Sequence, residues 1–241
     1  MDFIDEVLRL KAALRCTIEP IAISFLSAVP PEPAAFSAEM PSATPDGRTG
    51  SVSAGCVFWM HSVERSFTTS KQDHANCSVG SFTHGFIPLS QAAGHADVAT
   101  LVGAGWVSEA DFGGIEHIKE EPTAISYGPL ATSEATPDVV LLRLNAMAAM
   151  IFRDAFPEAR VEGKPQCHIV AIAHETKAFA LSFGCMLSRT RTKMSSNEMT
   201  AAIPGSRLGE AIERLETTAG IDRNVAAYAS LDSKRFTQDK E

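Results

Sequence analysis

The chain has little positive charge and no long hydrophobic run. Its 241 residues contain 21 Lys and Arg against 29 Asp and Glu, which gives a formal net charge of -8. Because nucleic-acid binding needs a basic face that neutralises phosphates, this balance indicates that nucleic acid is not the main partner. No segment approaches the roughly 20 consecutive apolar residues that cross a bilayer, so no membrane partner is expected either.

Several motifs of known chemistry are also missing. Gly103 and Gly105 lack the preceding strand and the spacing of a dinucleotide-binding loop, and no phosphate-binding Gly-Lys-Ser occurs. No nucleophile elbow points to a Ser-His-Asp hydrolase. The cysteines contain no Cys-x-x-Cys pair of the zinc-ribbon kind. A nucleotide-binding fold therefore has no support in this sequence, and on spacing alone the metal signal is weak.

The first residues lack the basic start and apolar stretch of a secretory signal, so we expect a cytoplasmic protein. Thiols stay reduced in that compartment. Five cysteines are an odd number and cannot pair completely within one chain. They are therefore predicted to be ligands, reactive groups or core residues rather than disulfides.

Hydrophobic periodicity predicts an α/β or α+β fold, a single domain over residues 1–241 in which helices pack on a mixed sheet. A proline-rich loop over residues 28–51 and a polar, fraying tail from about residue 230 are expected within it. The predicted helices cover residues 2–14, 52–67, 89–105, 146–156, 167–175 and 207–217, and the predicted strands cover 20–26, 124–130, 138–144, 178–183 and 198–204. The core-facing stripes of two helices are predicted to be Phe3, Ile4, Val7, Leu8, Leu10 and Leu14, and Met147, Met150, Ile151 and Ala155.

Four cysteines lie where predicted elements begin or end: Cys56, Cys77, Cys167 and Cys185. Cys56 lies near a helix start, where unpaired backbone amides favour a thiolate. A thiolate at such an edge can point into a cavity while amides donate to its sulfur, as around iron–sulfur clusters. A small core residue explains any one of them equally well, but together they predict one metal centre. Cys16 is interpreted as part of the first helix stripe and as structural.

Two further residues are candidates for catalysis. His74 stands beside Asp73 and three residues before Cys77, so it is a candidate ligand, proton donor or capping residue. Arg189 and Arg191 follow Cys185 closely, and the planar guanidinium of arginine suits a carboxylate substrate. Arg189 is the residue chosen for this role. A solvated surface arginine is the alternative interpretation.

Residues 163–167 and 181–189, followed by Glu198 and Ile203-Pro204, resemble the carboxyl half of the uncharacterised archaeal cysteine-rich family, domain of unknown function 169. The amino half is similar at residues 20–23, at Cys56 and at Cys77-Ser78-Val79-Gly80. The most specific match is Ser-Phe-Gly-Cys-x-x-x-Arg at residues 182–189. The resemblance implies that cysteines at these four positions are the family's hallmark and that iron–sulfur binding is its expected property. Met186 and Leu187 depart from the family pattern, in which a second small residue often follows the last cysteine.

Three functions follow from these residues. The first is an iron–sulfur protein, with a 4Fe–4S cluster on the four cysteines, that works as an oxidoreductase, lyase or electron carrier with a small-molecule substrate or a redox partner. The second is a structural zinc site in a binding or sensing module. The third is metal-free thiol chemistry at Cys56 or Cys77. The oligomeric state stays open, with a homodimer as one option.

Overall fold

A seven-stranded mixed sheet forms the centre of the computed structural model, which describes residues 3–36 and 49–238. The strand order is β2-β3-β1-β4-β7-β6-β5. Neighbouring strands are antiparallel except for β5 and β6, which are parallel. The strands are β1 (Ile21–Leu26), β2 (Phe67–Thr69), β3 (Ala124–Pro129), β4 (Val139–Leu144), β5 (Arg160–Glu162), β6 (Ala180–Ser182) and β7 (Met199–Pro204). The prediction of a single mixed-sheet α/β domain is therefore confirmed.

Helices cover both faces of this sheet. They are α1 (Ile4–Leu14), α2 (Cys56–His61), α3 (Ser78–Thr83), α4 (Leu89–Ala93), α5 (Ala96–Gly103), α6 (Glu109–Phe112), α7 (Ala146–Ala155), α8 (His168–Ala171), α9 (Met186–Thr192) and α10 (Leu208–Gln238). One π-helical turn, Ile172–Thr176, continues α8. No helix in the described ranges is both long and apolar enough to span a bilayer.

Alternation along the strands divides the core into two parts. Val140 and Leu142 of β4 pack with α1, α7 and α10, whereas Val139 and Leu141 point to the opposite face, where α2 and α8 lie. This period of two is the expected property of a strand buried on both faces. A third apolar cluster, contributed by α3 to α6, lies beside the second face.

Two predicted helix stripes need correction. In α1, Phe3, Val7, Leu10 and Leu14 face the core, but Ile4 and Leu8 are exposed. In α7, Ile151 and Ala155 are buried as predicted, whereas both methionines, Met147 and Met150, are exposed. Ala148, Ala149 and Phe152 occupy the buried side instead. The apolar surface of each helix is wider than the strip that contacts the sheet, so residues one row away stay in solvent.

Element bounds differ from the predictions at several places. The predicted helix over 52–67 is limited to α2, and β2, α3 and α6 were not predicted. The predicted helix over 89–105 is interrupted at Gly94, which ends α4. The short β5 and the polar α9 were not predicted. The polar tail expected from about residue 230 begins within α10, which continues to Gln238 and exposes Tyr228, Leu231 and Phe236; its fraying stays a prediction.

The proline-rich loop lies mostly outside the described residues, which omit 37–48. Its first part crosses the sheet edge, where the Phe36 amide donates to the Thr68 carbonyl at 2.7 Å. Phe36 is buried there between the rings of Phe58 and Phe67. This part of the loop therefore closes the core above β2.

Candidate metal centre

Cys56, Cys77, Cys167 and Cys185 line one cavity. The cavity lies on the α2 and α8 side of the sheet and has a volume of about 30 Å³, enough for about two water-sized groups. Most of its remaining wall is apolar. The structure therefore brings together four thiols that are widely separated in sequence. Cys16 lies elsewhere, packed against the core beneath α1.

Each of the four cysteines stands at the start of a helix. Cys56 is the first residue of α2, and Cys77, Cys167 and Cys185 directly precede α3, α8 and α9. Backbone N–H groups in the first turn of a helix have no intrahelical partner and favour negative charge nearby. The first turns of four helices therefore lie next to the thiols that line this one cavity.

Polar groups face each sulfur. The Thr83 hydroxyl donates to Cys167 Sγ at 3.2 Å, and the Ser188 amide donates to Cys185 Sγ at 3.4 Å. The Ser188 hydroxyl acts on the Cys56 sulfur and the Gly80 amide on the Cys77 sulfur, and both contacts lower the pKa of that thiol. Donors of this kind orient sulfur ligands and stabilise thiolate charge.

Burial outweighs those donors in the absence of a metal. It raises the pKa of Cys56 to about 12 and holds the pKa of Cys167 well above its ordinary value. The pKa of Cys77 is also raised by burial. Cys56 does lie at a helix start as predicted, but burial raises the pKa of its thiol by more than the donors around it lower that pKa.

Arg191 provides positive charge at the cavity. It belongs to α9, lines the cavity, and its guanidinium lowers the pKa of both Cys56 and Cys77. Among the described residues that line this cavity, it is the one Lys or Arg. The sequence prediction named both arginines as candidate cations and chose Arg189, two residues earlier on the same helix.

Arg189 points away from the thiols. Its guanidinium donates to the carbonyls of Phe183 and Glu198, each at 2.7 Å, and also to that of Ser195. These three bonds join the start of α9 to the segment before β7. Arg189 therefore holds Gly184 and Cys185 in place, and its expected contact with a substrate remains a prediction.

His74 lies behind the cavity wall. It is 1% exposed, and its Nε2 is 3.1 Å from the Thr69 hydroxyl. A Cβ at Gly55 would stand 2.9 Å from its Nδ1, so the ring packs directly against the start of α2. Asp73 bonds to Ser70. The histidine thus supports the Cys56 turn from behind, and a role as proton donor to substrate remains a prediction.

Sequence reasoning missed several buried polar groups next to this site. The Tyr127 hydroxyl, the Gln166 Oε1 and His84 Nε2 have no hydrogen-bond partner within the described residues. The pKa of Tyr127 is held well above its ordinary value by burial and by the charges of Cys167 and Cys56. The sequence did contain a signal for two of the groups that contact the sulfurs. Ser188 and Gly80 each follow a cysteine by three residues, which is the spacing between a helix-capping side chain and the backbone amide from which it accepts a hydrogen bond.

The donor set fits two kinds of metal group. Four thiolates hold iron–sulfur clusters, and they also hold structural zinc. Within residues 3–36 and 49–238, no group of three or more His, Cys, Asp and Glu side chains is arranged to share a single ion. The four thiols therefore surround the cavity without converging on one point.

Comparison with protein-family models matched one family across residues 9–214, described as domain of unknown function 169, uncharacterised ArCR. The match spans all four cysteines of the cavity and ends within α10. Searches of curated proteins and of solved structures found no match. Because the matched region covers most of the chain and contains the whole candidate site, the chain belongs to the family of domain of unknown function 169.

Proposed function

We propose that this protein holds an iron–sulfur cluster, of the 4Fe–4S type, on Cys56, Cys77, Cys167 and Cys185, and uses it as an enzyme that acts on a small molecule. The observation that supports this most directly is the meeting of four thiols, each at a helix start and each facing a polar donor, around one cavity. Thiolates with such donors are the usual ligands of these clusters.

The residues around the thiols have separate tasks in this proposal. A bound cluster supplies one-electron transfer or, where an iron lacks a protein ligand, Lewis acidity toward an oxyanion. Thr83 and Ser188 orient the sulfurs of Cys167 and Cys185. Arg191 offsets part of the negative charge that four thiolates bring. Trp106 and Val79 exclude water from one side of the cavity.

The raised pKa values weigh against thiol chemistry without a metal. A nucleophilic cysteine needs a lowered pKa and access to solvent. Burial instead raises the pKa of Cys56 to about 12 and raises that of Cys77. In contrast, a metal replaces the proton on sulfur directly, so buried thiols of this kind suit metal ligation better.

A structural zinc site is the second candidate, and the cavity's small size favours it. A volume of about 30 Å³ is closer to that of one ion than to that of a multi-iron cluster. The separate positions of the thiols favour the cluster, because zinc draws its four ligands to about 2.3 Å from one centre. The two candidates predict different metals in the same place.

Metal analysis of protein purified under strictly anaerobic conditions separates them. We expect a brown protein with broad visible charge-transfer absorption, and iron and acid-labile sulfide in equal amounts, several per chain. Reduction with dithionite should bleach the absorption, because the cluster accepts an electron. A colourless protein with stoichiometric zinc would contradict the proposal and support the structural site.

A further inference from the structure

A second cavity lies beside the thiol cavity. Its volume is about 250 Å³, which is near the lower end of small-ligand sites. Val79, Trp106 and Pro165 line both cavities. These three side chains therefore form a shared wall, and a molecule in the second cavity would lie next to the four thiols. We call this second cavity the side chamber.

The side chamber has an apolar body. Val107, Phe112 and Ile115 are each less than 9% exposed and line it, together with the shared wall. These residues come from α6 and the loops on either side of it. A site of this kind binds the hydrocarbon part of a small ligand by removing it from water.

One buried polar side chain that lines the chamber makes no hydrogen bond within the described residues. His168 is 4% exposed, and neither ring nitrogen makes a hydrogen bond within the described residues. Its Nε2 lies 3.4 Å from Glu162 Oε2 without hydrogen-bond alignment. Because buried polar atoms are nearly always hydrogen-bonded in native proteins, the imidazole is expected to contact a bound group.

The charged residues of the chamber differ in how many further hydrogen bonds they can make to a ligand. Asp111 already accepts from the Ser108 amide and hydroxyl at 2.7 and 2.9 Å. Glu162 Oε1 accepts from Arg160 at 2.8 Å. The ammonium of Lys164 donates to the Trp106 carbonyl and lies 5.1 Å from that ring's centre. An ammonium has three N–H donors, so Lys164 retains capacity for an anion.

From these contacts we propose that the side chamber binds a small carboxylate with a compact apolar body. The carboxylate accepts hydrogen bonds from Lys164 and from an N–H of His168, and the body packs against Trp106, Phe112 and Ile115. The binding itself stands on this geometry alone. That the bound molecule is the substrate of the neighbouring metal centre rests on the proposed function.

Calorimetric titration of the full-length protein with three matched compounds tests the proposal. Isovalerate, isovaleramide and isopentylamine share an apolar body and differ in the charge of the head group. We expect isovalerate to bind at least tenfold more tightly than the other two, since hydrogen bonds from a charged donor to a carboxylate are stronger than those to a neutral amide. A preference for the amine or amide, or no binding of any of them, would overturn the proposal.

Three variants locate the site. Lys164→Met should weaken isovalerate binding about tenfold or more, and Lys164→Arg should retain most of it. Lys71→Met removes a lysine that pairs with Glu121 away from the chamber and should change nothing. Circular dichroism on each sample confirms folding. Equal affinity in Lys164→Met and wild type would mean that the carboxylate binds elsewhere.

Iron analysis of the same samples keeps the two proposals apart. Protein without iron that still binds isovalerate through Lys164 would refute the proposed function and leave the side chamber intact. Iron-loaded protein that binds none of the three compounds would refute the side chamber and leave the metal centre intact. Lys164→Met is expected to keep its full iron content, because Lys164 does not line the thiol cavity.

Discussion

The two faces of the sheet bury different kinds of side chain. The face under α1, α7 and α10 packs aliphatic residues and phenylalanines such as Phe152 and Phe156. The other side buries His74, His84 and His168 and carries the four thiols, of which only that of Cys77 belongs to a buried residue. Several ring nitrogens of these histidines have no hydrogen-bond partner within the described residues. An unsatisfied buried polar group costs about 1–3 kcal/mol. The first face therefore contributes more to the free energy of unfolding, whereas the unsatisfied polar groups that form the site on the second face lower it.

This difference predicts that metal binding and stability can be lost separately. The largest effect concerns the two environments of cysteine. Cys185→Ser should reduce the iron bound after anaerobic purification to near background, because it removes one of the four proposed ligands that line the cavity. Cys16→Ser should leave the iron content unchanged, since Cys16 packs against the apolar core. Equal iron loss in both variants would show that our sorting of the cysteines is wrong.

The next largest effect lies on the apolar face. Phe152→Ala should lower the free energy of unfolding by about 3–5 kcal/mol, because it opens a cavity in the fully buried core. Urea denaturation monitored by circular dichroism measures this change. Met150→Ala, at an exposed position of the same helix, should change stability by about 0.5 kcal/mol or less.

Iron content makes Phe152→Ala a test of the comparison. The folded fraction of this variant should keep the wild-type amount of iron per chain, because α7 does not line the thiol cavity. If folded Phe152→Ala protein lost its iron, the two faces would be one cooperative unit and the separation argued above would fail.

Acid should lower the stability of the protein through the buried histidines on the face that carries the thiol cavity. Burial lowers the pKa of His84 to about 4 and holds that of His74 well below its usual value. In the unfolded chain both take up protons near pH 6.5. The stability from a neutral His84 is thus complete above pH 6.5 and is lost as the pH falls through about 4, with a total of about 3 kcal/mol.

Replacement of His84 isolates this contribution. Between pH 7 and about pH 4, the free energy of unfolding of wild type should fall by about 3 kcal/mol more than that of His84→Gln, as measured by urea denaturation. The variant His95→Gln replaces an exposed histidine and should follow the wild-type curve. Parallel curves for wild type and His84→Gln would rule out this histidine as a source of acid sensitivity.

The sequence predicted the elements whose pattern is long and regular. Four strands of six residues, including β1 and β4, were predicted from apolar runs that are buried in the sheet. β5 has only three residues, none of them fully buried, and so it carries no hydrophobic pattern. α9 is mostly polar and begins after Cys185, which is not a usual capping residue.

The same contrast holds for the candidate site. The four cysteines were singled out by their places at element edges and by the family resemblance, and the structure groups them. Their neighbours could not be predicted. Thr83 is 84 residues from Cys167 in sequence, and only the fold brings them together. Arg189 and Arg191 were equally plausible cations until the direction of α9 placed Arg191 at the cavity.

The smallest predicted effect concerns such a neighbour. Thr83→Val keeps the side-chain shape but removes the hydroxyl that donates to Cys167 Sγ at 3.2 Å. We expect the metal affinity to fall about 10- to 100-fold, as is typical when a group that orients a ligand is lost. Competition with a chelator, monitored through the loss of visible absorption, measures this change. Thr217→Val removes a hydroxyl that bonds within α10, to the Glu213 carbonyl, and should leave the affinity unchanged. If Thr83→Val bound metal with wild-type affinity, the polar donors around the sulfurs would not contribute to metal binding. The cysteines alone would then distinguish the metal-binding face of the sheet from the other face.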